Sequence, residues 1–117
     1  PKKKGAIVMD SPGYDIASVT AMVAGGCQVV VFTTGRGTPT GHALAPVLKV
    51  TANRATYQNM IDNMDIDASG VTEGEVSIEE AGASMLDEVL EVFNGKTTKA
   101  ESYGFSDIAI DRICRFI

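Results

Sequence analysis

The hydroxyl, glycine and cationic residues Thr33-Thr34-Gly35-Arg36-Gly37-Thr38 follow directly on the apolar run Val29-Val30-Val31-Phe32. Two glycines allow positive φ and let the backbone come close to a ligand. Exposed N–H groups in such a turn bind anions. A guanidinium between them offers a planar fork suited to a carboxylate or phosphate. The stretch therefore reads in one of two ways: as an oxyanion or carboxylate clamp, or as a turn whose arginine pairs with an acidic neighbour. It is not a Walker loop, because GxxxxGK[ST] is absent, and it is not GxGxxG.

Further candidates lie outside this stretch. Asp10 begins Asp10-Ser11-Pro12-Gly13-Tyr14-Asp15. It can bind a metal, act as a base or orient another group; the same residues also suit a β-turn. Tyr14 can donate a proton, and Asp15 suits a helix cap. Lys49 sits inside the apolar segment VLKVT. A partly buried lysine has a lowered pKa and can serve as a base; the other reading is a solvent-facing or edge position. His42 is the single histidine, a possible acid, base or metal ligand or an ordinary loop residue. Asp62, Asp65 and Asp67 lack the EF-hand pattern and read as solvated acids rather than a metal cluster.

The elements that must position these groups follow from periodicity. Residues 5–9, GAIVM, read as a short buried strand and 10–15 as a loop. Ile16, Val19 and Val23 mark a helix that Gly25-Gly26 stop. Residues 28–33 are a second strand, whose continuous apolar run suits a parallel sheet covered on both faces. Residues 34–46 form a long loop, and 47–51 a third strand. Asn53 caps a helix carrying Tyr57, Met60, Ile61 and Met64. Residues 65–76 are acidic and irregular, with room for one short strand. Ser77 and Glu80 form a capping box. The helix behind it puts Ile78, Gly82, Met85, Leu86, Val89, Leu90 and Phe93 on one face and ends at Asn94-Gly95. The methionines and phenylalanines of the helices read as core; residues 96–117 are mixed. The order predicts one α/β domain over 1–117: a small, mostly parallel sheet with helices on both faces, Rossmann-like and three-layered. Ligands of such sheets sit at the carboxyl ends of the strands.

The bulk numbers bound the function. The chain has 117 residues, 44% hydrophobic and 21% charged, with a formal net charge of −5. That balance argues against a general nucleic-acid or anionic-membrane surface. Lys2-Lys3-Lys4 read as a solvated lead-in. Cys27 and Cys114 lie far apart and form no CxxC or zinc spacing, which points to a reducing, cytoplasmic compartment. No apolar run approaches the ~20 residues of a membrane span. The chain starts with proline, as a fragment of a longer protein would.

Several blocks together carry a family resemblance. MDSPGYDIASVTAMVAGG, then VVVFTTGRGTPTGHALAPVLKVTANRATY, then DNMDIDASG resemble the carboxyl-terminal part of the altronate/galactarate dehydratase family, which includes sulfolactate sulfo-lyase large subunits. The similarity covers roughly the first 100 residues, from Asp10 to Gly13, Thr33 to Gly37, Pro46, Lys49, Asn53 and Asp62 to Asp67. It implies a hydro-lyase domain that acts on a small sugar acid together with the missing amino-terminal part of the enzyme, with a homo-oligomer possible. It also implies a divalent metal, Fe2+ or Mg2+/Mn2+, in the full enzyme, with Asp10 and His42 as candidate ligands here. Carried onto this chain, Thr34, Gly35, Arg36, Gly37 and Asn53 would bind substrate, and Asp10, Lys49 and Tyr14 would serve the proton transfers. The alternatives are a non-catalytic anion-binding or interdomain packing domain, and part of a sulfo-lyase. The fragment alone is expected to be inactive, since half a site leaves the catalytic groups unassembled. It is also expected to expose an apolar surface where the remainder of the enzyme packs.

Overall fold

The computed structural model describes residues 4–110; Lys2, Lys3 and Cys114 lie outside them. The chain order is α1 (Asp15–Ala24), β1 (Val30–Thr33), β2 (Val47–Thr51), α2 (Arg54–Asn59), β3 (Ile66–Asp67), α3 (Ser69–Thr72), α4 (Ile78–Phe93) and α5 (Lys99–Ser102). The three strands form one open parallel sheet in the order β1-β2-β3. This is an α/β architecture of the Rossmann-like kind.

Central β2 is buried along its whole length, as its unbroken apolar run requires. Val30 stands beside Val47, and both pack under Val19 of α1, with Met22, Val23 and Phe32 around them. Leu48, Val50 and Met64 complete the buried apolar set near the sheet. The loop from 34 to 46 buries Thr38, Thr40, Gly41, His42 and Ala45. Thr38 and Thr40 share a hydrogen bond of 2.8 Å, and a Cβ on Gly41 would overlap the Phe105 carbonyl and the Ala100 methyl. That backbone contact cannot swing aside. We expect Gly41→Ala to destabilise the domain by about 1–3 kcal/mol, read as a lower urea midpoint.

Several expectations are corrected. Residues 5–9 form no strand. Val8 is 100% exposed and Ile7 57%, and the segment has no partner strand in the sheet. Asp15 is the first helical residue rather than the cap; Tyr14 occupies the cap position without a side-chain bond. Asn53 does cap α2, accepting from the Thr56 N–H. That helix ends at Asn59, however, so Ile61 is exposed and Met64 is buried beyond the helix. The capping box at Ser77 and Glu80 forms as expected. Glu80's carboxyl is held below its usual value by the bonds from Ser77. The single-turn helices α3 and α5 have no periodic signal of their own.

Helix α4 departs most from a core helix. It is amphipathic, yet only Val92 is buried, while Ile78, Leu86, Leu90 and Phe93 are exposed. Phe93 is thus not core. The apolar face has no covering element among the described residues. No described helix is long and apolar enough to cross a membrane.

Candidate functional site at the carboxyl edge of the sheet

In a parallel sheet all strand ends of one kind lie on one edge. Here Thr34-Gly35-Arg36-Gly37 leaves β1, Ala52-Asn53 leaves β2 and Ala68 leaves β3 on that same edge. Thr34 extends the ladder, its N–H donating to the Val50 carbonyl. The Thr34 Oγ1 then accepts the Gly37 N–H at 3.0 Å. On the other side the Thr56 Oγ1 of α2 donates to the Gly35 carbonyl at 2.8 Å. The turn is therefore fixed from both ends, and Asn53 is tied to the same unit through Thr56.

Gly37 has φ +82°, and a Cβ there would overlap the Met60 sulfur. The thioether can move, so the backbone conformation dominates the cost. Gly37→Ala should lose about 1–3 kcal/mol and disorder the turn, visible as faster hydrogen exchange at Gly37.

Arg36 is exposed at the tip of this turn. Among the described residues it makes no ion pair, so the reading as an arginine paired with an acidic neighbour is not what the structure contains. The contrast is Arg54 on the same edge, whose guanidinium is engaged by Glu73 and Glu75 and is held firmly charged by them. The N–H groups of Gly35 and Arg36 also make no backbone hydrogen bond among the described residues. A guanidinium carried on a fixed turn with two open amides can take one carboxylate in a bidentate manner.

Among the described residues, none of the other candidates makes a hydrogen bond or ion pair to residues 34–37. Asp10 is exposed, follows an unpaired segment, and is held by no hydrogen bond among the described residues. Tyr14 is exposed at the start of α1.

Lys49 is fully buried. Its ammonium lies 3.4 Å from the Thr40 carbonyl and 3.9 Å from Asp65 Oδ2. The solvent-facing or edge position that was the other reading is not what the structure contains; the ammonium is buried and held by Thr40 and Asp65. Burial lowers its pKa, opposed by Asp65 and assisted by Lys99. The unfolded chain keeps this proton up to 10.5, while the folded chain releases it earlier. Between those values the unfolded state binds more protons, so stability rises with pH there. Lys49→Met should flatten that segment of the stability–pH curve measured by urea unfolding.

Asp65 is likewise not a solvated acid. Its side chain is nearly buried, with Oδ2 accepting the Lys49 N–H and Oδ1 the Lys99 N–H, each at 2.8 Å. The Lys99 ammonium in turn holds the Ile61 and Met64 carbonyls and lies over the Tyr57 ring. One carboxylate thus joins β2 to α5, across separations of 16 and 34 residues that no local pattern reports.

His42 is buried in the loop before β2. Its Nδ1 accepts the Leu44 N–H at 3.2 Å, so the neutral ring carries its proton on Nε2. A ring in that tautomer has no free lone pair for a metal. Asp67 Oδ1 accepts the Ser69 N–H. Among the described residues no three His, Cys, Asp or Glu side chains converge to hold an ion. The donors present therefore do not fit a metal centre.

Residues 1–115 match the family model described as "D-galactarate/Altronate dehydratase, C-terminal". The chain is 41% identical over 96 residues to galactarate dehydratase (L-threo-forming) of Escherichia coli (strain K12), covering 82% of this chain and 18% of that protein. It is 35% identical over 109 residues to altronate dehydratase of Bacillus subtilis (strain 168), 93% of this chain and 22% of that one. It is also 34% identical over 113 residues to the (2R)-sulfolactate sulfo-lyase subunit beta of Chromohalobacter salexigens, 97% of this chain and 29% of that one. The chain thus spans less than a third of the length of the curated relatives it matches.

Proposed function

Because the chain belongs to the D-galactarate/altronate dehydratase carboxyl-terminal family, we propose that it supplies the carboxylate-binding wall of a sugar-acid hydro-lyase. The observation that carries this reading is Arg36: exposed, without an acidic partner among the described residues, and carried on a held turn whose Gly35 and Arg36 amides are open, at the sheet's carboxyl edge. A substrate of the galactarate or altronate type presents its carboxylate to that fork. Thr34, Gly35 and Gly37 shape the turn, and Asn53 anchors the helix that holds it.

The reaction begins with removal of the proton α to the carboxylate by a base. The electron pair moves onto the carboxylate as an enediolate, whose second negative charge Arg36 stabilises. The β-hydroxyl then leaves as water after protonation, and the enol becomes a 2-keto-3-deoxy acid. Asp10 is the base this chain can offer, and Tyr14 the proton donor. A divalent metal of the complete enzyme would take its ligands from residues outside 4–110. The chain alone does not turn over substrate in this account.

A packing role accompanies the catalytic one. The apolar face of α4, with Leu86, Leu90 and Phe93 exposed, is the surface an adjoining part of the enzyme would cover. Calorimetric titration with galactarate and altronate, using the complete protein and this chain, tests the reading. Binding by the complete protein that Arg36→Ala weakens supports the clamp. Equal binding by the variant ends it.

A further inference from the structure

Arg36 stands between two glycines, so the backbone on either side of it has wide conformational freedom. Packing does not restrain Gly35: it is exposed, and a Cβ there would meet nothing within 4 Å. The turn is held instead by two hydroxyls. Thr34 Oγ1 accepts the Gly37 N–H, and Thr56 Oγ1 donates to the Gly35 carbonyl. Only the second grips the peptide between Gly35 and Arg36.

That peptide is trans. Its carbonyl and its N–H lie in one plane and point in opposite directions. The Thr56 bond draws the carbonyl toward α2 and thereby turns the Arg36 N–H away from α2. This N–H is one of the two amides of the turn that make no backbone hydrogen bond among the described residues. Rotation of the peptide would put a carbonyl oxygen where the amide donor stands. An oxygen there repels a carboxylate; an N–H attracts it.

Thr56 is placed to prevent that rotation. A Cβ on Gly37 would lie 3.2 Å from the Thr56 Cγ2 methyl, so the methyl lies against one glycine while the hydroxyl holds the other. The Thr56 N–H donates to Asn53 Oδ1, and the carbonyl of Ala52, just before that cap, accepts from Thr72 Oγ1. Helix α2 buries no residue of its own. Hydrogen bonds more than core packing therefore set where Thr56 stands.

We propose that Thr56 is a positioning residue: its hydroxyl fixes the Gly35–Arg36 peptide in the sense that aims the Arg36 amide at the anion. Arg36 then has two donors for one carboxylate, its guanidinium and its backbone N–H, the second oriented by a residue on another element. That the anion is a substrate carboxylate rests on the proposed dehydratase reading; the orientation of the peptide does not.

Two measurements on the complete protein test this. Without substrate, the Gly35 carbonyl 13C resonance, observed through the Arg36 15N, should move upfield in Thr56→Val, as a carbonyl resonance does on losing a donor. In Thr56→Ser it should stay near the wild-type position. With galactarate, calorimetry should show Thr56→Val binding about 3- to 10-fold more weakly than wild type, the population shift that one net hydrogen bond commands. Thr56→Ser should recover most of that loss. A threonine that only stabilised α2 would lower the urea midpoint and leave the affinity alone. An unmoved Gly35 resonance in Thr56→Val overturns the proposal. So does undiminished galactarate binding by Thr56→Val where Arg36→Ala does weaken it. If neither substitution weakens binding, the clamp itself is wrong and the anion half of this inference falls with it, while the resonance still decides the orientation of the peptide.

Discussion

Arg36→Ala in the complete enzyme should lower kcat/KM for the sugar acid by about 100- to 10,000-fold, while leaving the unfolding midpoint unchanged. The magnitude follows from the contact. Two charge-assisted hydrogen bonds contribute about 1.5–3 kcal/mol each, and each 1.4 kcal/mol is tenfold. Part of the loss should fall on kcat, because the enediolate carries more charge than the ground-state carboxylate. The stability arm follows from exposure: Arg36 is at a turn tip and holds no acidic partner among the described residues. Arg36→Lys should recover only part of the loss, since an ammonium keeps the charge but not the planar fork. Steady-state kinetics of the three proteins, with urea midpoints alongside, check this. A tenfold effect or less would mean the fork does not hold the reacting carboxylate.

Asp65→Ala should have the opposite signature, a loss of about 3–5 kcal/mol in folding stability. The substitution leaves the Lys49 ammonium buried without a counter-charge and removes the acceptor of two backbone N–H groups. Lys49→Met should cost less, because a linear apolar side chain fills the same space and Asp65 keeps both backbone bonds. The order of the urea midpoints, wild type, then Lys49→Met, then Asp65→Ala, is the readout. If Lys49→Met were the more damaging, the ammonium's bond to Thr40 would matter more than the Asp65 scaffold.

The parts of this fold that could be read from the chain are those set by near neighbours. The unbroken apolar run of VLKVT is a central strand, the Ser77–Glu80 box starts a long helix, and Asn53 caps α2. The turn after β1 was legible because glycine spacing and a strand end are local facts. What escaped depends on distant partners. Residues 5–9 carry a strand's composition, but composition does not supply an edge to pair with. The Asp65 hub joins residues 16 and 34 positions apart, so a surface position for Lys49 stayed open in the sequence when the side chain is buried against Asp65. The stripe of Leu86, Leu90 and Phe93 is a true amphipathic signal, but periodicity says only that a face wants covering. It does not say that the cover lies in the same domain. Thr56, which ties Gly35 to α2, has no signature beyond being a threonine near a cap.

The central claim is that Arg36 recognises a carboxylate. The most direct measurement compares calorimetric binding of galactarate with that of its neutral diamide, for the complete wild-type protein and for Arg36→Ala. The account predicts that the wild type strongly prefers the acid and that the variant loses most of that preference. A variant that discriminates acid from amide as sharply as the wild type would contradict it, and would place carboxylate recognition on another residue.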